Sequence, residues 1–275
     1  MFFYGAHIKK KKTIIATLQE VHKYGGNFLQ IFVSNPMSGR HKKEMMDKYR
    51  EMGTEIKQYL LDNNMKLVIH SPYTLNFGRR VVTPEDAYWV RSYYEELLIG
   101  HYLGAMGCVI HVGKNESKEG IEYMFISLRY LIQRVLKEHL DIKIILETAA
   151  GQGNELLVDY RDLLTFYQRF SDREKDVLKI CLDTAHLHAA GFKLDNIDRL
   201  IKAFDGNVVL IHLNDSKVAF NSRVDRHECI GKGTIGQGTL TSVLKTAIQY
   251  DIPIILETPN DGYKKEIKWI TKVFQ

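Results

Sequence analysis

Nine side chains suited to binding metal ions recur in short polar motifs along this chain. They are His70 in VIHSPY, His111 in VIHVG, Glu147 in ILETAAGQG, Asp183 and His186 in CLDTAH, His212 in LIHLNDSK, Asp225 and His227 in SRVDRH, and Glu257 in ILETP. Each alone is an ordinary strand-end or loop residue; together they are five imidazoles and four carboxylates. Four carboxylates in one pocket repel one another, and protonation or bound cations relieve that repulsion. Imidazole nitrogens beside carboxylate oxygens favour Zn²⁺, Mn²⁺ or Fe²⁺ over Mg²⁺ or Ca²⁺. At roughly three protein ligands per catalytic ion, nine donors suit two or three ions, particularly if one carboxylate bridges. Asp225 and His227, two apart in an extended segment, project the same way and can chelate one ion, and His186 can reach the Asp183 ion or a neighbour. Metallation would reverse the sign of the pocket, turning it into an anion receptor suited to phosphodiester cleavage by an activated hydroxide.

Elements that bring these residues together are visible as eight short apolar, β-rich runs: Phe2 to Ile8, Asn27 to Val33, Lys66 to His70, Cys108 to Val112, Lys143 to Glu147, Leu178 to Asp183, Val208 to Leu213 and Pro253 to Glu257. Between most of them lie stretches with helical apolar spacing, such as Tyr88 to Leu103 and Met124 to Leu136. Runs such as KIILE and VVLIH are apolar nearly throughout, as strands covered on both faces are. Eight β-then-α units predict an α/β fold, a (β/α)₈ TIM barrel, with a doubly wound open sheet as the alternative. No linker or low-complexity tract divides the chain, so residues 1–275 read as one domain. The C-terminal strand ends of a barrel share one face, where all nine side chains would converge.

Composition agrees with that picture. A chain of 275 residues can bury roughly three quarters of its unfolded surface. With 45% hydrophobic and 26% charged residues and only 5 prolines, the composition excludes a disordered or collagenous chain. No apolar run approaches the ~18–20 residues of a membrane span, and MFFYGAHIKKKK has its charges after its apolar stretch, the reverse of a secretory signal. An intracellular protein, cytoplasmic or nuclear, is expected. Cys108, Cys181 and Cys229 are an odd number at no metal-like spacing, which fits a reducing compartment. Lys and Arg number 38 against 33 Asp and Glu, a balance that permits a polyanionic partner without demanding one.

LETAAGQG at 146–153, CLDTAH followed by AAGF at 181–192, HLNDSK at 212–217, SRVDRH followed by GKGTIG at 222–236, and LETP at 256–259 resemble, in this order, the endonuclease IV family of apurinic/apyrimidinic (AP) endonucleases. The resemblance spans most of the chain. It implies a TIM barrel with three zinc ions, Mn²⁺ or Fe²⁺ being acceptable at some positions. Such an enzyme cleaves duplex DNA 5′ to abasic sites in base excision repair, leaving a 3′-hydroxyl and a 5′-deoxyribose phosphate, and removes blocking groups from 3′ ends. It further implies that His70, His111 and Glu147 hold one ion and that Glu147 bridges to a second held also by Asp183, His212 and Glu257. His186, Asp225 and His227 would hold the third. Glu147 or Glu257 would position or deprotonate the attacking water. Three departures stand out: Val112 where the family commonly has proline, Met37 in SNPMSGR where it has a DNA-intercalating arginine, and Thr74 after Tyr73 where it has leucine.

Around this centre, Lys9 and Lys10, with Lys11 and Lys12, would rim the catalytic face and meet backbone phosphates, or else begin a solvated helix. Tyr73 and Met37 are candidate apolar wedges for the gap left by an extruded nucleotide, and core packing or an idle exposed loop are their plainer readings. Arg226, pointing opposite to Asp225 and His227, is a candidate phosphate clamp. GKGTIGQG lacks the strand-to-helix setting of a nucleotide P-loop. His7 and His188 read as structural, and His22, His41, His101 and His139 carry no signal. The expected partner is double-stranded DNA with abasic sites or blocked 3′ ends, bound by a monomer with no membrane contact. The competing reading is a metal-dependent sugar isomerase or epimerase on a related barrel, for which fewer ligands would suffice.

Overall fold

The computed structural model describes residues 1–39, 43–259 and 262–274, so Arg40 of SNPMSGR and His41 lie outside the described residues. Eight parallel strands form a closed barrel: β1 (Tyr4–His7), β2 (Phe28–Ile31), β3 (Lys66–His70), β4 (Gly107–His111), β5 (Lys143–Glu147), β6 (Leu178–Asp183), β7 (Val208–His212) and β10 (Ile254–Leu256). A two-stranded antiparallel ribbon, β8 (Asp215–Ser216) with β9 (His227–Glu228), is inserted between β7 and β10. Because β1 pairs with both β2 and β10, the ring closes and the open-sheet alternative is excluded. Strand limits agree with the apolar runs at β3, β5 and β6. The fourth strand is shifted one residue toward the N-terminus, and β1, β2, β7 and β10 are shorter than their runs, since terminal residues such as Phe2 and Val33 are buried against helices without continuing a strand.

Helices follow the strands for local reasons. In Ile14–Tyr24, Thr13 caps the first turn by accepting from the Ala16 amide, Ile14, Leu18 and Val21 form the buried stripe, and Gly25 ends the helix at φ 97°. Tyr88–Leu103 has the limits its apolar spacing predicts, whereas Glu119–Lys137 begins before the predicted Met124, with Glu119 and Glu122 in a first turn that favours negative charge.

Two apolar cores result. The larger lies between strands and helices, and the smaller, made of Phe28, Val68, Val109, Ile145, Cys181, Leu210 and Ile255, fills the barrel interior. Gly5 lets β1 close against β2: a Cβ there would lie 1.6 Å from the Phe28 carbonyl oxygen. Among the described residues no helix is long and apolar enough to cross a membrane, and the three cysteines are buried free thiols.

Candidate metal centre

Successive strand residues face opposite ways, so the residue two after each interior plug residue also points into the barrel, one layer nearer the C-terminal mouth. Two after Phe28, Val68, Val109, Ile145, Cys181, Leu210 and Ile255 stand Gln30, His70, His111, Glu147, Asp183, His212 and Glu257, and β1 contributes His7 two after Gly5. Six of the nine expected ligands therefore occupy one layer. His186 enters from the helix Thr184–Ala189, whose N-cap is Asp183, with the His186 amide donating to Asp183 Oδ1 at 2.7 Å. Asp225 comes from the loop that leads into β9, and His227 is the first residue of that strand.

All nine lie together. Glu147 is at the middle, with Oε1 2.8 Å from His212 Nδ1 and 3.6 Å from His186 Nδ1, and Oε2 3.4 Å from His70 Nε2 and 3.3 Å from His111 Nε2. Glu257 Oε2 is 3.1 Å from His212 Nδ1. Asp225 faces two rings at once, Oδ2 3.3 Å from His186 Nε2 and Oδ1 3.3 Å from His227 Nε2. Besides one that includes Cys181, donor atoms converge in three overlapping groups: His70, His111 and Glu147; Glu147, Asp183, His212 and Glu257; and Asp183, His186 and His227, where Asp183 takes the place the sequence reading gave to Asp225. Asp183, 3.6 Å from His227 Nε2, thus stands between two groups as Glu147 does, a position not expected from the sequence. Cys181 also lies close to Glu147 and His212, but burial pushes its thiol up to about 12, so it remains a protonated part of the plug.

Within the site, the charges of the side chains compensate one another. Burial disfavours ionised carboxyls, yet the imidazoles of His111 and His212 hold Glu147, and those of His212 and His7 hold Glu257, well below the ordinary carboxylate range. Burial likewise opposes charge on His186, but Asp183 and Asp225 raise it well above its ordinary value.

The donor set fits divalent ions. Glu147 Oε2, His186 Nε2 and His227 Nε2 are buried without a well-aligned hydrogen-bond partner among the described residues, a costly state for polar atoms unless something else satisfies them. Each of these atoms has another donor atom 3.3 Å away. That spacing is the edge of a tetrahedron whose nitrogen and oxygen corners lie about 2.0–2.1 Å from a central ion. Backbone carbonyls orient the rings through the opposite nitrogen: His70 Nδ1 is 2.8 Å from the Ser71 oxygen, His186 Nδ1 2.8 Å from that of Thr148, and His227 Nδ1 3.2 Å from that of Glu257.

Three residues join the centre that the sequence reading did not assign to it. His7, read as structural, lies with Nδ1 3.1 Å from Glu257 Oε1. Gln30 donates to the same oxygen at 2.6 Å. Asn214 ties two ligands together, donating to Asp183 Oδ2 at 2.7 Å and accepting the Glu257 amide at 2.7 Å.

The surrounding loops are built from within. Asp215 accepts the amides of Ser216, Gly231, Gly233 and Ile235 at 2.8–3.1 Å, so GKGTIG wraps a fixed carboxylate and its amides are not directed at a phosphate. Replacing Asp215 by alanine leaves several of these donors unsatisfied. It is expected to cost about 3 kcal/mol and to lower the midpoint of thermal unfolding by roughly 6–12 °C, which calorimetry would read; an unchanged midpoint would remove this role.

A cavity of about 760 Å³ opens beside the centre, with His7, Glu257, Tyr73, Phe32, Lys9 and Lys10 in its wall. Tyr73 is 58% exposed and packs edge-on against Phe32 and His111, at the boundary between ligands and solvent. Met37 is 70% exposed at the tip of the neighbouring loop, which is joined to the Tyr73 loop by a 3.0 Å bond from the Tyr73 amide to the Pro36 oxygen. Lys10 donates to the Tyr49 hydroxyl at 2.6 Å, so its ammonium is already partnered, while Lys9 is exposed. Arg226 is exposed, and its Nη1 is held by its neighbour's carbonyl, that of Asp225, at 2.5 Å. Val112 is buried, and Thr74 is half-buried.

The family described as Xylose isomerase-like TIM barrel matches residues 18–273. A relative from Clostridium beijerinckii named endonuclease 4 is 31% identical, the match covering 98% of each chain. The crystal structure of endonuclease IV from Thermus thermophilus superposes with a TM-score of 0.76 at 25% identity, over 99% of this chain and 97% of that one. A D-tagatose 3-epimerase-like protein superposes with a TM-score of 0.72 at 17% identity, over 99% and 96%, a likeness of fold alone.

Proposed function

We propose a function from the premise that this chain belongs to the endonuclease IV family and to the xylose isomerase-like TIM barrels. It is a DNA-cleaving phosphodiester hydrolase that uses divalent metal, cuts 5′ to abasic sites in duplex DNA to leave a 3′-hydroxyl and a 5′-deoxyribose phosphate, and also trims blocked 3′ ends. The observation that carries this reading is the set of buried, unpartnered donor atoms spaced 3.3 Å from further donors, around a carboxylate with four imidazoles. Three zinc ions suit that number of nitrogen and oxygen donors. Bound there, they would supply Lewis-acid polarisation of the phosphate and acidify water at the site.

The chain's own residues do the rest. Glu147, fully buried and enclosed by imidazoles, gathers the His ligands and has no open side for water. Glu257 reaches the open cavity with its Oε1 fixed by Gln30 and His7, so it is the carboxylate that orients the attacking water and takes its proton. Lys9 and Arg226, exposed near the mouth, contact backbone phosphates. Lys10 contributes positive potential while bonded to Tyr49. Tyr73 and Met37, on adjoining loops, fill the gap beside the lesion, Met37 standing where the family has arginine.

The test is a duplex carrying one tetrahydrofuran abasic analogue. A single nick 5′ to the analogue is expected; turnover of free aldoses or ketoses with no nick would transfer the protein to the isomerase and epimerase side of this fold.

A further inference from the structure

We propose that Gln30 is a positioning residue whose side-chain amide fixes the His212 ring so that Nδ1, not Nε2, is the ligating atom. This rests on the metal-centre reading above. Gln30 is fully buried and is the only polar residue of β2, whose sequence is FLQI. A buried amide is stable only if both its ends are bonded, and here both partners are site residues. Gln30 Nε2 donates to Glu257 Oε1 at 2.6 Å and lies 3.0 Å from His7 Nδ1, and Gln30 Oε1 is 2.9 Å from His212 Nε2.

The polarity of that chain is forced. An ionised carboxylate can only accept, so the amide nitrogen must face Glu257 and the amide oxygen must face His212. His212 Nε2 then carries the hydrogen, and Nδ1 is the atom directed at Glu147, Glu257 and Asp183, at 2.8, 3.1 and 3.8 Å. His70, His186 and His227 have the reverse arrangement, with Nδ1 bonded to a backbone carbonyl and Nε2 facing the carboxylates. His212 presents its other nitrogen, and its Nε2 faces a side-chain oxygen from β2 instead of a backbone carbonyl. The same amide holds Glu257, which makes Gln30 a link between a ligand and the proposed base.

Gln30→Met keeps length and burial but removes both bonds; Gln30→Glu keeps an acceptor for His212 Nε2 and loses the donor to Glu257. In zinc-loaded wild type, long-range ¹H–¹⁵N spectra of the histidines are expected to show His212 protonated at Nε2. Gln30→Met should lose that signature and bind zinc about 10–100-fold more weakly, while Gln30→Glu should keep the signature. Wild-type-like zinc affinity and an unchanged His212 spectrum in Gln30→Met would overturn the assignment. If the methionine variant fails to fold, a Gln30→Glu spectrum with His212 Nε2 unprotonated would overturn it equally. Wild type that binds no zinc at all would instead overturn the metal reading beneath it, a separate result.

Discussion

Glu257→Gln is expected to slow incision of an abasic-site duplex by about 10²–10⁴-fold while the variant still binds that duplex. Glutamine preserves the volume and can still accept from Gln30, which bonds Glu257 Oε1 at 2.6 Å in the native site. What it removes is the negative charge that surrounding imidazoles keep ionised despite burial. Single-turnover incision with saturating enzyme separates this from weakened binding. A variant that nicks within a few-fold of wild type would take the base role away from Glu257. The same loss accompanied by proportionally weaker DNA binding would make it a binding residue.

Glu147→Gln should act earlier, on assembly of the centre. Among the described residues, Glu147 is the one side chain in contact with His70, His111, His186 and His212, and its Oε2 has no well-aligned hydrogen-bond partner. An amide at this place puts N–H groups against ring nitrogens and removes the charge that offsets bound cations. The variant is expected to retain fewer ions per chain by elemental analysis and to lose at least about 10³-fold in incision, since metal stabilisation of a phosphoryl transition state is worth several kcal/mol. Full metal content with full activity would show that Glu147 is a buried counter-ion to the histidines and nothing more.

The two effects differ because the two carboxylates have different surroundings, and that difference is what the sequence could not show. ILET and ILETP read alike, yet one glutamate closes strand β5 beneath four rings and the other follows β10 at the wall of a cavity. The strands themselves were legible. A parallel barrel buries both faces of its strands, so KIILE and VVLIH are apolar up to the point where the chain reaches the mouth, and the first polar residue there marks the site. The same logic hid Gln30. It lies inside an apolar run, and only knowledge of which FLQI side chains face inward, supplied by ring closure and by its register with His7, places it among the ligands. His7 was obscured for a related reason, because Ile8 continues the apolar run beyond it. Asp183 serving two groups depends on the turn into Thr184–Ala189, and the Lys10–Tyr49 bond on a helix far along the chain. Neither leaves a local pattern.

The most direct test strips the protein by prolonged chelation, returns zinc in measured amounts, and follows nicking of the tetrahydrofuran duplex together with bound metal per chain. Nicking is expected to vanish in the stripped protein and to return in proportion to bound zinc, levelling off when about three ions are held, as nine donors at roughly three per ion require. Undiminished nicking by protein shown to contain no metal would contradict the account, because five imidazoles and four carboxylates would then have been gathered for something else.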